Sequence, residues 1–182
     1  MPGGAAKHLI KPTRTERMMA IIAYTGAHGT GKTTAALQKA ELLKRKHPDK
    51  SITILTETAP LSPYPINLAT TSDSQMWIFT TQIKRELDLL ARFDMVVSDR
   101  CSVDAIAYTM AAGYDNMAFG MIDLIKYHLH HYDQIIMKTT ERNNFCFADG
   151  IRVTGDAFRK EVERCLTEIY GALDVDGVLS YE

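Results

Sequence analysis

Eight consecutive residues, Gly26-Ala27-His28-Gly29-Thr30-Gly31-Lys32-Thr33, fit G-x-x-x-x-G-K-[ST] at every fixed position. Residue types in this order can wrap a polyphosphate. The glycines let successive backbone N–H groups turn inward, and the helix that begins near Lys32 adds its positive N-terminal end. Lys32 is expected to reach the β- and γ-phosphates, and the Thr33 hydroxyl to ligate Mg²⁺. The nucleotide cradle is therefore expected to comprise Gly26, Ala27, His28, Gly29, Thr30, Gly31, Lys32, Thr33 and Thr34. A cradle of this kind serves switches, motors and phosphotransferases alike, so it does not name a reaction.

Two further places could do chemistry at the same crevice. Ser98-Asp99-Arg100 ends an apolar run, and Thr56-Glu57-Thr58-Ala59-Pro60 ends a β-branched one. In open α/β sheets the ligand crevice lies beyond the carboxyl ends of the strands. Asp99 there can hold the Mg²⁺ shell or polarise an attacking hydroxyl, and Arg100 can grip a phosphate as a planar fork. Glu57 adds a second carboxylate, which permits one acid near the metal and one accepting a hydroxyl proton. Later in the chain, Arg142 and Arg152 fall in a polar stretch that reads as a mobile, charge-supplying loop. Arg159 and Arg164 follow on the last helix, and Arg164 fits a solvated face better. His128, His130 and His131 lack a supporting carboxylate or cysteine at metal-binding spacing, so helix-end histidines favoured by the dipole are expected.

These residues need a scaffold that alternates strands and helices. Strands are expected at 20–25, 51–56, 94–98, 132–138 and 177–181, and helices at 32–46, 74–92, 103–112, 116–131 and 155–173. Ser74 is expected to cap the second helix, whose apolar stripe would be Trp77, Ile78, Ile83, Leu87 and Leu90. Gln75, Trp77 and Gln82 on that helix lie over the crevice, where the glutamines can hydrogen-bond an acceptor base. Pro60, Pro63 and Pro65 impose an extended loop before it. The order favours a parallel sheet covered on both faces.

Size and composition set outer bounds. With 182 residues, 46% hydrophobic content and a net charge of −1, the chain reads as one globular domain rather than a general polyanion binder. Residues 1–17, with Lys7, Lys11, Arg14 and Arg17, read as a flexible basic tail, and 18–182 as the folded unit. No apolar run approaches the ~20 residues of a membrane helix. No secretory signal is evident either. Three scattered cysteines fit neither a disulfide framework nor a zinc site, so a reducing cytoplasm is expected.

Taken together, the cradle, the Glu57 strand end, Gln82-x-x-x-Glu86, Val96-Val97-Ser98-Asp99-Arg100…Asp104…Tyr108 and Asp149-Gly150-Ile151-Arg152…Phe158-Arg159 resemble the P-loop nucleoside and nucleotide kinases. The chain is most similar to the small kinase-like ATPases that include the ribosylnicotinamide kinase domain, over about residues 20–175. The resemblance implies an α/β P-loop NTPase three-layer fold: a five-stranded parallel sheet of order 2-3-1-4-5, helices on both faces, and a lid at about 139–158. It also implies ATP with Mg²⁺, Glu57 as base, and Asp99 and Arg100 serving metal and acceptor. The expected reaction is transfer of the γ-phosphate to a nucleoside or nucleoside monophosphate. Two alternatives stand beside it: a kinase acting on nucleic-acid ends or modified bases, helped by the basic tail, and a nucleotide-dependent switch. A homodimer is left open.

Overall fold

A computed structural model describes residues 20–66, 69–142, 156–173, 175 and 177–182. The basic tail, Arg152 and positions 143–155 of the expected lid lie outside the described residues. Strand β1 (Ala20–Thr25) runs into the glycine loop and then helix α1 (Lys32–Lys46). β2 (Ile52–Leu55), α2 (Ser72–Leu90), β3 (Met95–Asp99) and α3 (Ser102–Ala111) follow. Next come α4 (Asp115–Ile125), β4 (Tyr132–Met137), α5 (Asp156–Ala172) and β5 (Leu179–Tyr181). The strands form one sheet of order β2-β3-β1-β4-β5, and every neighbouring pair is parallel. This is the P-loop NTPase arrangement.

Alternation along β1 divides the core. Ile22 and Tyr24 pack with Ala36, Ala40 and Leu43 of α1 on one face. Ile21 and Ala23 face the other way, into the larger cluster with Phe79 of α2, Val103 and Ile106 of α3, and Leu166 and Ile169 of α5. Helices thus cover both faces, and every strand carries its C-terminal end to the same edge. Among the described residues no helix is long and apolar enough to cross a membrane.

Several local expectations need correction. The N-cap of α2 is Thr71, not Ser74; Ser74 is the third helical residue and completes a capping box by receiving the Thr71 N–H on its own hydroxyl at 2.8 Å. Leu87, expected on the apolar stripe of α2, is 44% exposed. Leu90 is buried and Ile78 and Ile83 pack against the core as expected, but Gln75, Phe79, Gln82 and Glu86 are buried too, so polar side chains occupy positions that a hydrophobic count passes over. Pro60 lies inside a 3₁₀ turn, Ala59–Leu61, where the first turn needs no N–H from it. The helix expected at 116–131 ends at Ile125, and a separate 3₁₀ turn spans Leu129–His131.

Candidate active site

The glycine loop is built around the peptide of Gly26. Its φ of +139° lies where glycine alone is comfortable. A Cβ at Gly26 would collide with the Lys138 carbonyl oxygen of the segment leaving β4. The Gly26 N–H donates to Asp104 Oδ1 at 3.1 Å, and its carbonyl accepts from Arg100 Nη1 at 3.0 Å. Further along, the Thr30 hydroxyl donates to the Ala27 carbonyl at 3.0 Å, and Gly31 (φ +75°) caps α1. Lys32 is buried and bends back, donating to the Ala27 carbonyl at 2.6 Å and to Thr30 Oγ1 at 3.3 Å. Burial, then the neighbouring Arg100 charge, bring its pKa down to about 7. Thr34 is exposed on the first turn of α1.

Asp99 ends β3 beside this loop, paired in register with Tyr24. The Thr33 hydroxyl donates to Asp99 Oδ2 at 2.6 Å. A hydroxyl and a carboxylate oxygen at this separation form a hard oxygen donor pair, which fits Mg²⁺ held together with nucleotide phosphates.

Arg100 is the centre of the opposite wall. It is a non-glycine residue at φ +134°, a conformation that costs free energy and persists only where its surroundings hold it. Its carbonyl accepts from the Ser98 hydroxyl at 2.6 Å. Its guanidinium gives Nε and Nη2 to Glu57 Oε1 at 2.9 and 2.7 Å, approaches Asp104 Oδ1 at 3.3 Å, and lies 5.2 Å from the Tyr108 ring centroid. Burial works against its charge, but Glu57, Tyr108 and Asp104 outweigh it and hold the guanidinium well above its usual pKa. Asp104 is also raised, for the opposite reason: burial lifts its carboxyl, against the pull of Arg100 and Lys32. Asp104 and Tyr108 lie four residues apart on α3, so one helical face aims both at the loop, while Arg100 precedes the helix.

The Tyr108 hydroxyl accepts from the His28 N–H at 3.1 Å and lies 3.2 Å from His28 Nδ1. Arg159 of α5, buried, donates Nε to the His28 carbonyl at 3.1 Å. The loop is therefore gripped from α3 and from α5. Between it and α2 opens a pocket lined by Glu57, Thr58, Gln75, Gln82, Arg100 and Tyr108 among others. Ala59, Pro60, Ile66, Ile78 and Ala105 supply apolar walls.

Sequence reasoning brought Lys32, Thr33, Glu57, Asp99 and Arg100 together, and the structure places them at one edge of the sheet. Arg142 is exposed just beyond β4 and does not line the pocket. Arg164 is exposed and tied to Glu161 and Glu168 on its own helix. Trp77 is half-buried and does not line the pocket, whereas Gln75 and Gln82 do. Asp104, Tyr108 and Thr58 were not singled out for the site. Neither was the buried chain behind it. Glu86, fully buried, accepts from Gln82 Nε2 at 2.8 Å, Ser102 Oγ at 2.9 Å and the Tyr132 hydroxyl at 2.9 Å, with His128 Nε2 at 2.6 Å. A dry carboxylate demands such partners. Because Glu86 takes the amide nitrogen of Gln82, Gln82 Oε1 faces Thr58, whose hydroxyl donates to it at 2.5 Å. The polarity of that amide at the pocket floor is thereby set.

Sheet order, glycine loop and the Thr33–Asp99 pair together define a P-loop nucleotide-binding domain of the kinase-like type. The chain belongs to the AAA domain family AAA_28, whose model matches residues 21–178. No curated protein matches it in sequence. Among solved structures, it resembles thymidylate kinase from Ehrlichia chaffeensis, with 15% identity, a TM-score of 0.62, and 90% of this chain and 86% of that one covered. The deoxyadenosine kinase of M. mycoides, solved with the products dCMP and a flexible dCDP bound, matches with 14% identity and a TM-score of 0.61, covering 89% of both chains. Its structure with bound dATP matches with 15% identity and a TM-score of 0.62, covering 89% of this chain and 90% of that one. At these identities the likeness establishes the fold.

Proposed function

We propose that the protein is an ATP-dependent phosphotransferase that moves the γ-phosphate onto a nucleoside or nucleoside monophosphate. One observation carries the reading. The Gly26 peptide is shared between the cradle and the pocket, its N–H held by Asp104 and its carbonyl by Arg100, which itself grips Glu57. A donor phosphate in the cradle and an acceptor in the pocket would thus meet across one residue, the positioning that phosphoryl transfer requires. The kinases that share this fold supply an analogy in the same direction.

In this reading the loop amides and Lys32 hold the phosphates, and Thr33 with Asp99 holds Mg²⁺. When bound with the nucleotide, the ion adds positive charge at the phosphate oxygens. Glu57 receives the proton of an acceptor hydroxyl, and Arg100 orients Glu57. Arg142 and Arg152 would bring further positive charge to the transferred phosphate. Residues 18–182 form the catalytic unit. A reducing cytoplasm suits Cys101 and Cys165, which are both free and buried.

ADP release from ATP and Mg²⁺, measured with a panel of nucleosides and nucleotides, tests the assignment. Stimulation by one acceptor, lost in Asp99→Asn, is the expected result. A slow, flat rate across the panel would instead support a nucleotide-dependent switch.

A further inference from the structure

The charge balance of the acceptor pocket selects between the two acceptor classes. Among the described lining residues, Arg100 is the sole lysine or arginine, facing the two carboxylates of Glu57 and Asp104. All three side chains are largely buried, so solvent does little to screen them. The guanidinium is already engaged: Glu57 Oε1 takes Nε and Nη2, and Nη1 lies between the Gly26 carbonyl and Asp104. Of two arginines nearby, Arg85 spends Nη1 on the Thr56 carbonyl and the Thr58 hydroxyl, at 2.9 and 2.7 Å, and Arg159 gives Nε to the His28 carbonyl at 3.1 Å. His28 adds a ring nitrogen directed at the Tyr108 hydroxyl.

A phosphomonoester carries about −1.5 to −2 charges near neutrality. Entering this pocket, it would meet two carboxylates against one guanidinium among the described lining residues, and would have to draw Arg100 away from a buried carboxylate. An uncharged hydroxyl compound disturbs neither pair. The remaining surface describes its shape: apolar walls from Pro60, Ile66 and Ile78, with Gln75 and Gln82 at the floor. Such a slot suits a flat heterocycle with a hydrogen-bonding edge better than a bare sugar, which needs polar partners all round.

Building on the proposed phosphotransferase function, we infer that the acceptor is an uncharged nucleoside and not a nucleoside monophosphate. The nucleoside hydroxyl oxygen forms the new bond to the γ-phosphorus as the bond to the β,γ-bridging oxygen breaks. ADP leaves with that oxygen, and the hydroxyl proton passes to the Glu57 carboxylate.

The test compares kcat/KM for each nucleoside with that for its own 5′-monophosphate, using ATP, Mg²⁺ and the full chain. Preference for the best nucleoside by more than tenfold is expected. A ratio below tenfold, or a reversed one, overturns the inference and leaves the phosphotransferase assignment standing. Transfer to neither class, with ATP giving only inorganic phosphate, overturns both. Glu57→Gln supplies an independent arm, because it removes the base and one negative charge while keeping a side chain of the same shape. It is expected to narrow the nucleoside-to-monophosphate ratio at least tenfold. An unchanged ratio contradicts the charge argument even if overall activity falls.

Discussion

Replacing Gly26 with alanine is expected to destroy nucleotide binding and to destabilise the fold at the same time. The new methyl group would be driven into the Lys138 carbonyl, which is backbone and cannot rotate away. Its neighbourhood is pinned: the Lys138 N–H donates to the Thr25 carbonyl at 2.9 Å, extending the pairing of β1 with β4. Relief would require moving the Gly26 peptide, but Asp104 and Arg100 hold both of its polar groups. The backbone at φ +139° adds strain for any residue with a side chain. Steric overlap and conformational strain together should cost about 3 kcal/mol or more. Urea denaturation would show a lowered midpoint, and titration with ATP and Mg²⁺ would show at least a hundredfold weaker binding. Wild-type affinity in this variant would mean that the cradle tolerates a displaced first residue.

Lys32→Met should leave the fold largely intact yet lower phosphotransfer by about 10²–10³-fold, the scale seen when one preorganised donor to a developing charge is removed. Its pH behaviour provides a second readout. With no nucleotide present, the ammonium is buried near Arg100 and its pKa falls to about 7. The unfolded chain, with an ordinary lysine, therefore binds more protons than the folded chain between pH 7 and about 10.5. Stability of the nucleotide-free protein should rise with pH across that window, and Lys32→Met should flatten the rise. Nucleotide binding carries the opposite sign. Phosphate charge favours the protonated ammonium, so ATP affinity should fall as pH climbs above 7, with proton uptake on binding. Calorimetry at pH 8 in buffers of different ionisation enthalpy measures that uptake directly. Absence of uptake in the wild-type protein would contradict the assignment of Lys32 to the phosphates.

The motif and its flanks were legible to the residue. β1 and α1 begin and end where hydrophobic run, glycine loop and helix-forming run meet, because each boundary has its own local cause. β3 runs one residue further than its apolar pattern, since Asp99 still pairs with Tyr24 before the chain turns at Arg100. That turn was not legible. Positive φ at an arginine has no composition signature; it exists because Glu57, Gly26 and Asp104 reward the resulting direction of the side chain.

Asp104 and Tyr108 left a readable trace, their four-residue spacing on one helix, although only the structure shows which way that face turns. The burial and partners of Glu86 were hidden for a different reason. This residue stands on the buried face of α2 four residues after Gln82, but its partners His128 and Tyr132 come from more than forty residues away. Local pattern cannot pair groups so far apart, and a period count treats a buried glutamate as exposed. His128 accordingly read as a helix-end histidine until the fold brought it to Glu86.

A bisubstrate compound, adenosine joined through a polyphosphate bridge to a nucleoside, offers the most direct measure of whether cradle and pocket work as one site. If Gly26 joins a donor half to an acceptor half, the linked compound should bind at least a hundredfold more tightly than ATP or nucleoside alone and compete with both. Binding no tighter than ATP, with the nucleoside still free to bind alongside it, would mean that the two cavities do not face one reaction.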